Sequence, residues 1–170
     1  KRKKINKMAI TTEQIKELRD RTGISMMQVK KALEEAGGDT EKAVDILKKV
    51  GAAVAAKKAD RTLGAGVVES YIHNTKEVGS MVVLSCETDF VAKNEEFVAL
   101  ARDIAMHITA TNPEFLCEDD IKEGGDSDSV LLNQPFIKDS GKTVNDLIES
   151  AIQKFGERIE ITTFVRFSVK

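Results

Sequence analysis

Val78–Asn94 reads VGSMVVLSCETDFVAKN, and the change of pattern within it decides the fold. Val78–Cys86 is apolar and rich in β-branched residues, as a buried strand requires. Glu87–Asn94 then turns polar around Phe90 and Val91. From residue 94 to 111 the apolar residues Phe97, Leu100, Ala101, Ile104 and Ile108 fall on one helical stripe, closed by Pro113. The chain thus passes from a strand through a short junction into a long amphipathic helix. Upstream, Val67, Val68, Tyr71 and Ile72 make Val67–His73 a second strand, and His73–Glu77 is the polar loop of a hairpin. Downstream, residues 118–129 are acidic and rich in Gly and Ser, which predicts a loop. Val130–Ile137 is read as a strand or extended segment. Thr143 then caps a helix carrying Val144, Leu147, Ile148, Ala151 and Phe155, with Gly156 at its end. Ile159–Val169 reads as a last strand with Ile161, Thr163, Val165, Phe167 and Val169 on one face. Helices packed on one side of a mainly antiparallel sheet give an α+β core over residues 64–170.

The segment ahead of this core has a different rhythm. Thr11 with Gln14, and Ser25 with Gln28, have capping-box spacing, and Asp39 is a good cap for a third helix. Ile15 and Leu18, then Met26, Val29, Leu33 and Ala36, then Ala43, Ile46, Leu47 and Val50 supply apolar faces. Gly23, Gly37-Gly38 and Gly51 are the expected stops. Residues 8–51 are therefore expected to form a three-helix bundle, and residues 52–63 (AAVAAKKADRTL) a helical or extended linker.

Composition narrows the function. With 41% hydrophobic and 32% charged residues, the chain is expected to fold rather than stay disordered. Its 2 cysteines cannot make a disulfide scaffold, so a reducing compartment is expected. No run of about 18 apolar residues is present to span a membrane, and no apolar signal core follows the basic start. A soluble, intracellular protein is expected, with no membrane partner. Residues 1–62 carry a net charge of +7 and residues 63–170 a net of −9, which raises the question of nucleic-acid binding. Five of those positive charges, however, lie in Lys1, Arg2, Lys3, Lys4 and Lys7, and Met8–Thr62 is only +2 with its signs interspersed. Residues 1–7 read as a basic tail outside the fold, and no direct contact with nucleic acid is expected.

Catalytic constellations are thin. His73 and His107 have no companions at metal-ligand spacing, and no C-x-x-C, Walker loop or G-x-S-x-G is present. Cys86 ends a buried strand, where a small apolar role outweighs nucleophilic chemistry, and Cys117 lies in a loop. No catalytic residue, cofactor or metal site is assigned, and the protein is not expected to be an enzyme. Glu87–Asn94 resists so plain a reading, because a strand-to-helix junction at a sheet edge can present a side chain to a partner. The alternative is that Thr88 or Asp89 caps a short helix while Phe90 folds back onto the core.

Val83–Asn94 (VLSCETDFVAKN) resembles the signature of the elongation factor Ts family, whose hallmark is a T-D-F-V-A-K-like run. Leu18–Leu33 (LRDRTGISMMQVKKAL) resembles the family's N-terminal signature, continued by Gly37-Gly38-Asp39 and Ala43. Ile104–Phe115, Asn133–Lys138, Gly141–Val144 and Phe164–Phe167 resemble it too, so the likeness runs in order through most of Met8–Val169. It implies a guanine-nucleotide exchange factor for elongation factor Tu, placed in the bacterial cytoplasm or an organellar stroma or matrix. In such a protein the three-helix module, similar to a ubiquitin-associated domain, docks on the GTPase through Arg19, Met26 and Met27. Thr88, Asp89, Phe90 and Val91 insert beside its Mg²⁺ site, with Phe90 as the wedge and Asp89 fixing the segment by local hydrogen bonds.

Between Ile121 and Val130 only KEGGDSDS remains, where the family carries a longer helical stretch, and the chain has one core unit rather than two. Short members can pair to supply two cores, so a homodimer is one expected assembly. The rival function is an adaptor whose three-helix module binds a protein partner without affecting nucleotide.

Overall fold

A computed structural model describes residues 10–122 and 124–170. The expected basic tail, residues 1–7, lies outside the described residues. Helices α1 (Thr12–Thr22), α2 (Met26–Glu35) and α3 (Thr40–Lys58) form the N-terminal unit. Thr11 closes a full capping box with Gln14, and Ser25 and Asp39 accept from the amides of Gln28 and Lys42. Gly23 ends α1 in the left-handed region at φ 70°, where a side chain would be strained. Leu18, Ile24, Val29, Leu33, Ala43 and Leu47 make this unit's own core.

The expected stop at Gly51 is corrected, and of residues 52–63, expected to be a helical or extended linker, 52–58 are helical. Helix α3 runs on to Lys58, and only residues 59–64 separate it from β1 (Ala65–Ile72). The Ala-rich continuation favours helix, and Val54 and Ala55 pack against the second core. Gly51 instead allows close approach: a Cβ there would lie 2.5 Å from Gln153 Nε2. That side chain belongs to α6 (Val144–Phe155) and donates to the Leu47 carbonyl at 2.9 Å. Lys48 adds an ion pair with Asp146 at 2.9 Å. One helix therefore serves two cores, and the module is fastened along its length.

The C-terminal unit is built on the sheet β1–β2–β5, antiparallel throughout, with β2 at Val78–Cys86 and β5 at Ile159–Ser168. Its inner face meets α5 (Glu95–Thr111) and α6, burying Val82, Leu84, Phe97, Ile104, Ile108, Ile148 and Ile161 in one cluster. The fold is α+β, as the sequence implies. The single-face reading of β5 is not kept. A register shift opposite Val83/Leu84 leaves Thr162 without a partner in the ladder, and this bulge reverses the alternation beyond it. Ile161 and Phe164 consequently face the core, whereas Val165 and Phe167 lie exposed with Val68, Ile72 and Met81 on the outer face.

Val130–Ile137 is not a simple strand. Leu131–Asn133 is a 3₁₀ turn, and β3 (Pro135–Phe136) pairs with β4 (Asp139–Thr143) in a small hairpin. His107 of α5 holds this hairpin from below. It is fully buried, its Nδ1 accepts from Ile137 N–H at 3.3 Å, and its Nε2 lies 3.1 Å from Gln134 Oε1. That pattern assigns a neutral ring protonated at Nε2, and burial holds its pKa below the ordinary value. The unfolded chain then takes up this proton at a higher pH than the folded one. The stabilisation is complete above about pH 6.5 and fades as pH falls below it, by at most about 1.4 kcal/mol per unit. Urea unfolding at pH 7.5 and 5.5 should show this loss, and His107→Gln should flatten it; an unchanged slope in the variant would remove His107 as the cause. Among the described residues no helix is long and apolar enough to cross a membrane.

Candidate functional site

Cys86 ends β2 in the core, with burial pushing its thiol pKa up and its Sγ–H donating to the Thr88 carbonyl at 3.2 Å. Two residues later Thr88 adopts extended backbone (φ −127°, ψ 154°) and caps α4 (Asp89–Ala92), accepting from Val91 N–H at 3.5 Å. A single helical turn sets successive side chains about 100° apart. Val91 is 4% exposed and Ala92 7%, both in the core, whereas Phe90 is 80% exposed. The ring therefore does not fold back; its neighbours anchor the turn and leave it facing outward. An exposed phenylalanine on the turn after β2, followed directly by two buried residues, is a presented side chain rather than a packing element.

The structure brings Thr88, Asp89 and Phe90 to the surface together and takes Val91 away from it. Val91, expected to insert with them, packs in the core of the free chain. Asp89 makes its side-chain bond within the segment. Its side chain makes an exposed ion pair with Lys93 at 2.7 Å, which holds its carboxyl below the usual range, but it does not tie the junction to the rest of the fold. That tie comes from Glu87 and Glu157. Glu157, in the turn between α6 and β5, accepts from the amides of Glu87 and Thr88 at 3.1 and 3.0 Å and from the Thr88 hydroxyl at 2.6 Å. Glu87 accepts from Arg158 N–H at 2.5 Å and pairs with Arg61 at 3.2 Å; the Arg158 amide is the main cause of its depressed pKa. Glu87 opens the junction that the sequence singles out, but the bracing by either glutamate has no local signal. Glu157 lies 69 residues from Thr88, and no local spacing links them.

On the N-terminal unit, Met26 and Met27 open α2 at 49% and 80% exposure. Val29 and Leu33 take the buried face, so Met26 is not a core member of that helix as its spacing suggested. Two adjacent exposed methionines form a soft apolar surface. Arg19 is exposed and pairs with Asp20 at 3.1 Å. The turn before Met26 lies near Lys154 of α6. Lys154 of α6 pairs with Glu96, at the start of α5, and its Nζ lies 3.9 Å from the Cβ position of Gly23. Burial, with Arg19 nearby, lowers the pKa of that lysine. Among the described residues no group of His, Cys, Asp and Glu gathers as a metal site.

Known proteins share this arrangement's sequence. The profile of the family described as Elongation factor TS matches residues 3–125. Elongation factor Ts of Leptospira biflexa is 45% identical over 195 aligned residues, covering 95% of this chain and 98% of that protein. Elongation factor Ts of Thermodesulfovibrio yellowstonii is 45% identical over 194, covering 95% and 97%. That of Desulforamulus reducens is 44% identical over 193, covering 94% and 89%. Alignments longer than the 170 residues of this chain require those relatives to carry residues that it lacks. By profile, identity and coverage together, the chain belongs to the elongation factor Ts family and is a translation elongation factor.

Proposed function

We propose that the chain is a guanine-nucleotide exchange factor for elongation factor Tu. The observation that carries this reading is the outward ring of Phe90, 80% exposed on a turn whose next two residues are buried. In a GTPase, Mg²⁺ bridges the nucleotide phosphates and the protein and neutralises their charge at close range. Phe90 enters an apolar crevice near that ion and displaces the elements that carry its ligands. The phosphate charge is then less well compensated, and GDP leaves faster. The reaction needs no proton transfer and no covalent step, so this chain supplies shape and an apolar surface rather than catalytic groups. Arg19, Met26 and Met27 hold the GTPase while this occurs.

Reciprocity follows from linkage. A factor that weakens GDP binding is itself weakened by GDP to the same degree. The immobilised chain should therefore retain nucleotide-free elongation factor Tu and release it when GDP is added. The variant Met26→Ser/Met27→Ser should bind it about 30-fold more weakly without a change in folding, since two interface methionines worth about 1 kcal/mol each when buried on a partner sum to about 2 kcal/mol. Retention indifferent to GDP would overturn the exchange reading and favour an adaptor.

A further inference from the structure

We propose that Glu157 is a positioning residue: from the α6–β5 turn, its carboxylate fixes the backbone before α4 and so sets the direction in which Phe90 is presented. This rests on the exchange reading above and extends it to a residue far from the signature run. The carboxylate takes both amides ahead of the turn, Glu87 and Thr88 at 3.1 and 3.0 Å, and the Thr88 hydroxyl at 2.6 Å. Bonds to an ionised acceptor are short and strong, and two amides converging on one oxygen define a direction as well as a distance.

The local devices are weaker. The Thr88 cap reaches Val91 N–H only at 3.5 Å, and α4 is 4 residues long, too short to hold itself. The Asp89–Lys93 pair is exposed and internal to the segment. Glu157, by contrast, sits in a braced turn. Its preceding residue Gly156 accepts from Lys58 Nζ at 2.6 Å, and its following residue Arg158 donates to the Arg61 carbonyl at 2.6 Å and to Glu87 at 2.5 Å. The end of α3, the end of α6 and the presenting turn thereby meet in one polar cluster, and the N-terminal docking unit is fixed relative to Phe90.

The test follows release of fluorescent GDP from elongation factor Tu with the wild-type chain, Glu157→Ala, Glu157→Gln and Phe90→Ala, with amide exchange in the free proteins. Glu157→Ala should lower the maximal stimulated rate about tenfold, the size expected for losing a charge-assisted contact. The concentration for half-maximal stimulation, set mainly by the N-terminal unit, should move less than about threefold. Glu157→Gln, which keeps an acceptor in place, should recover the rate to within about threefold. The amides of Glu87 and Thr88 should exchange faster in the alanine variant while those of β2 and β5 do not, a pattern that general destabilisation would not give. If Glu157→Ala stimulates fully while Phe90→Ala does not, the positioning role is overturned and the exchange reading stands. If Phe90→Ala also stimulates fully, the reading itself fails, and this inference with it. Should the alanine variant not fold, Glu157→Asp, with its carboxylate drawn back by one methylene, is judged against the same two outcomes.

Discussion

Phe90→Ala should reduce stimulated GDP release from elongation factor Tu by about 30-fold or more, because an aromatic buried at the centre of an interface is worth about 2 kcal/mol or above. The same substitution should leave the melting temperature within about 2 °C, since an exposed side chain outside the core contributes little to folding. Its ring is 80% exposed, so alanine opens no cavity in this chain. Activity and stability thus separate at this position. Thermal unfolding and release kinetics on one preparation would show it, and loss of both together would mean that the ring packs inside the fold.

Phe97→Ala should do the reverse. Phe97 is fully buried seven residues further on, and its ring stands edge-on to Phe155 with centroids 6.0 Å apart. It fills the space between α5 and α6 beneath the sheet, in the cluster with Leu84, Ile104 and Ile148. Truncation there should lower unfolding free energy by about 3–5 kcal/mol, from lost burial and an unfilled cavity. Against a total of about 5–15 kcal/mol, that is a large fraction of the whole. Urea denaturation followed by circular dichroism measures it, and a loss under about 1 kcal/mol would show that the site collapses around the gap.

These two phenylalanines also show what was legible in the sequence. Phe97 declares itself, because Ala101, Ile104 and Ile108 follow it at helical spacing and all are buried. The caps Thr11, Asp39 and Thr143 were equally readable, since each acts on an amide three residues away. Phe90 was ambiguous by position alone; the likeness to the family favoured exposure, and the geometry of α4 places the ring outward.

What escaped depends on distant partners. The bulge at Thr162 arises from pairing with Val83 and Leu84, so the reversal of faces along β5 has no local signal. Gly51 reads as a helix stop until Gln153, from a helix about one hundred residues later, is seen against it. The β3–β4 hairpin is short and polar, and it is held by His107 from beneath rather than by its own pattern. Glu157 is the most consequential omission. A glutamate after a helix-ending glycine is unremarkable until the chain folds back and sets it on Thr88.

The most direct test of the central claim is stopped-flow release of fluorescent GDP from purified elongation factor Tu against increasing concentrations of this chain. An exchange factor should accelerate release to a saturating rate and lose that acceleration as the GDP competing with it is raised. A release rate that stays at its intrinsic value across the titration, with the chain folded, would contradict the account.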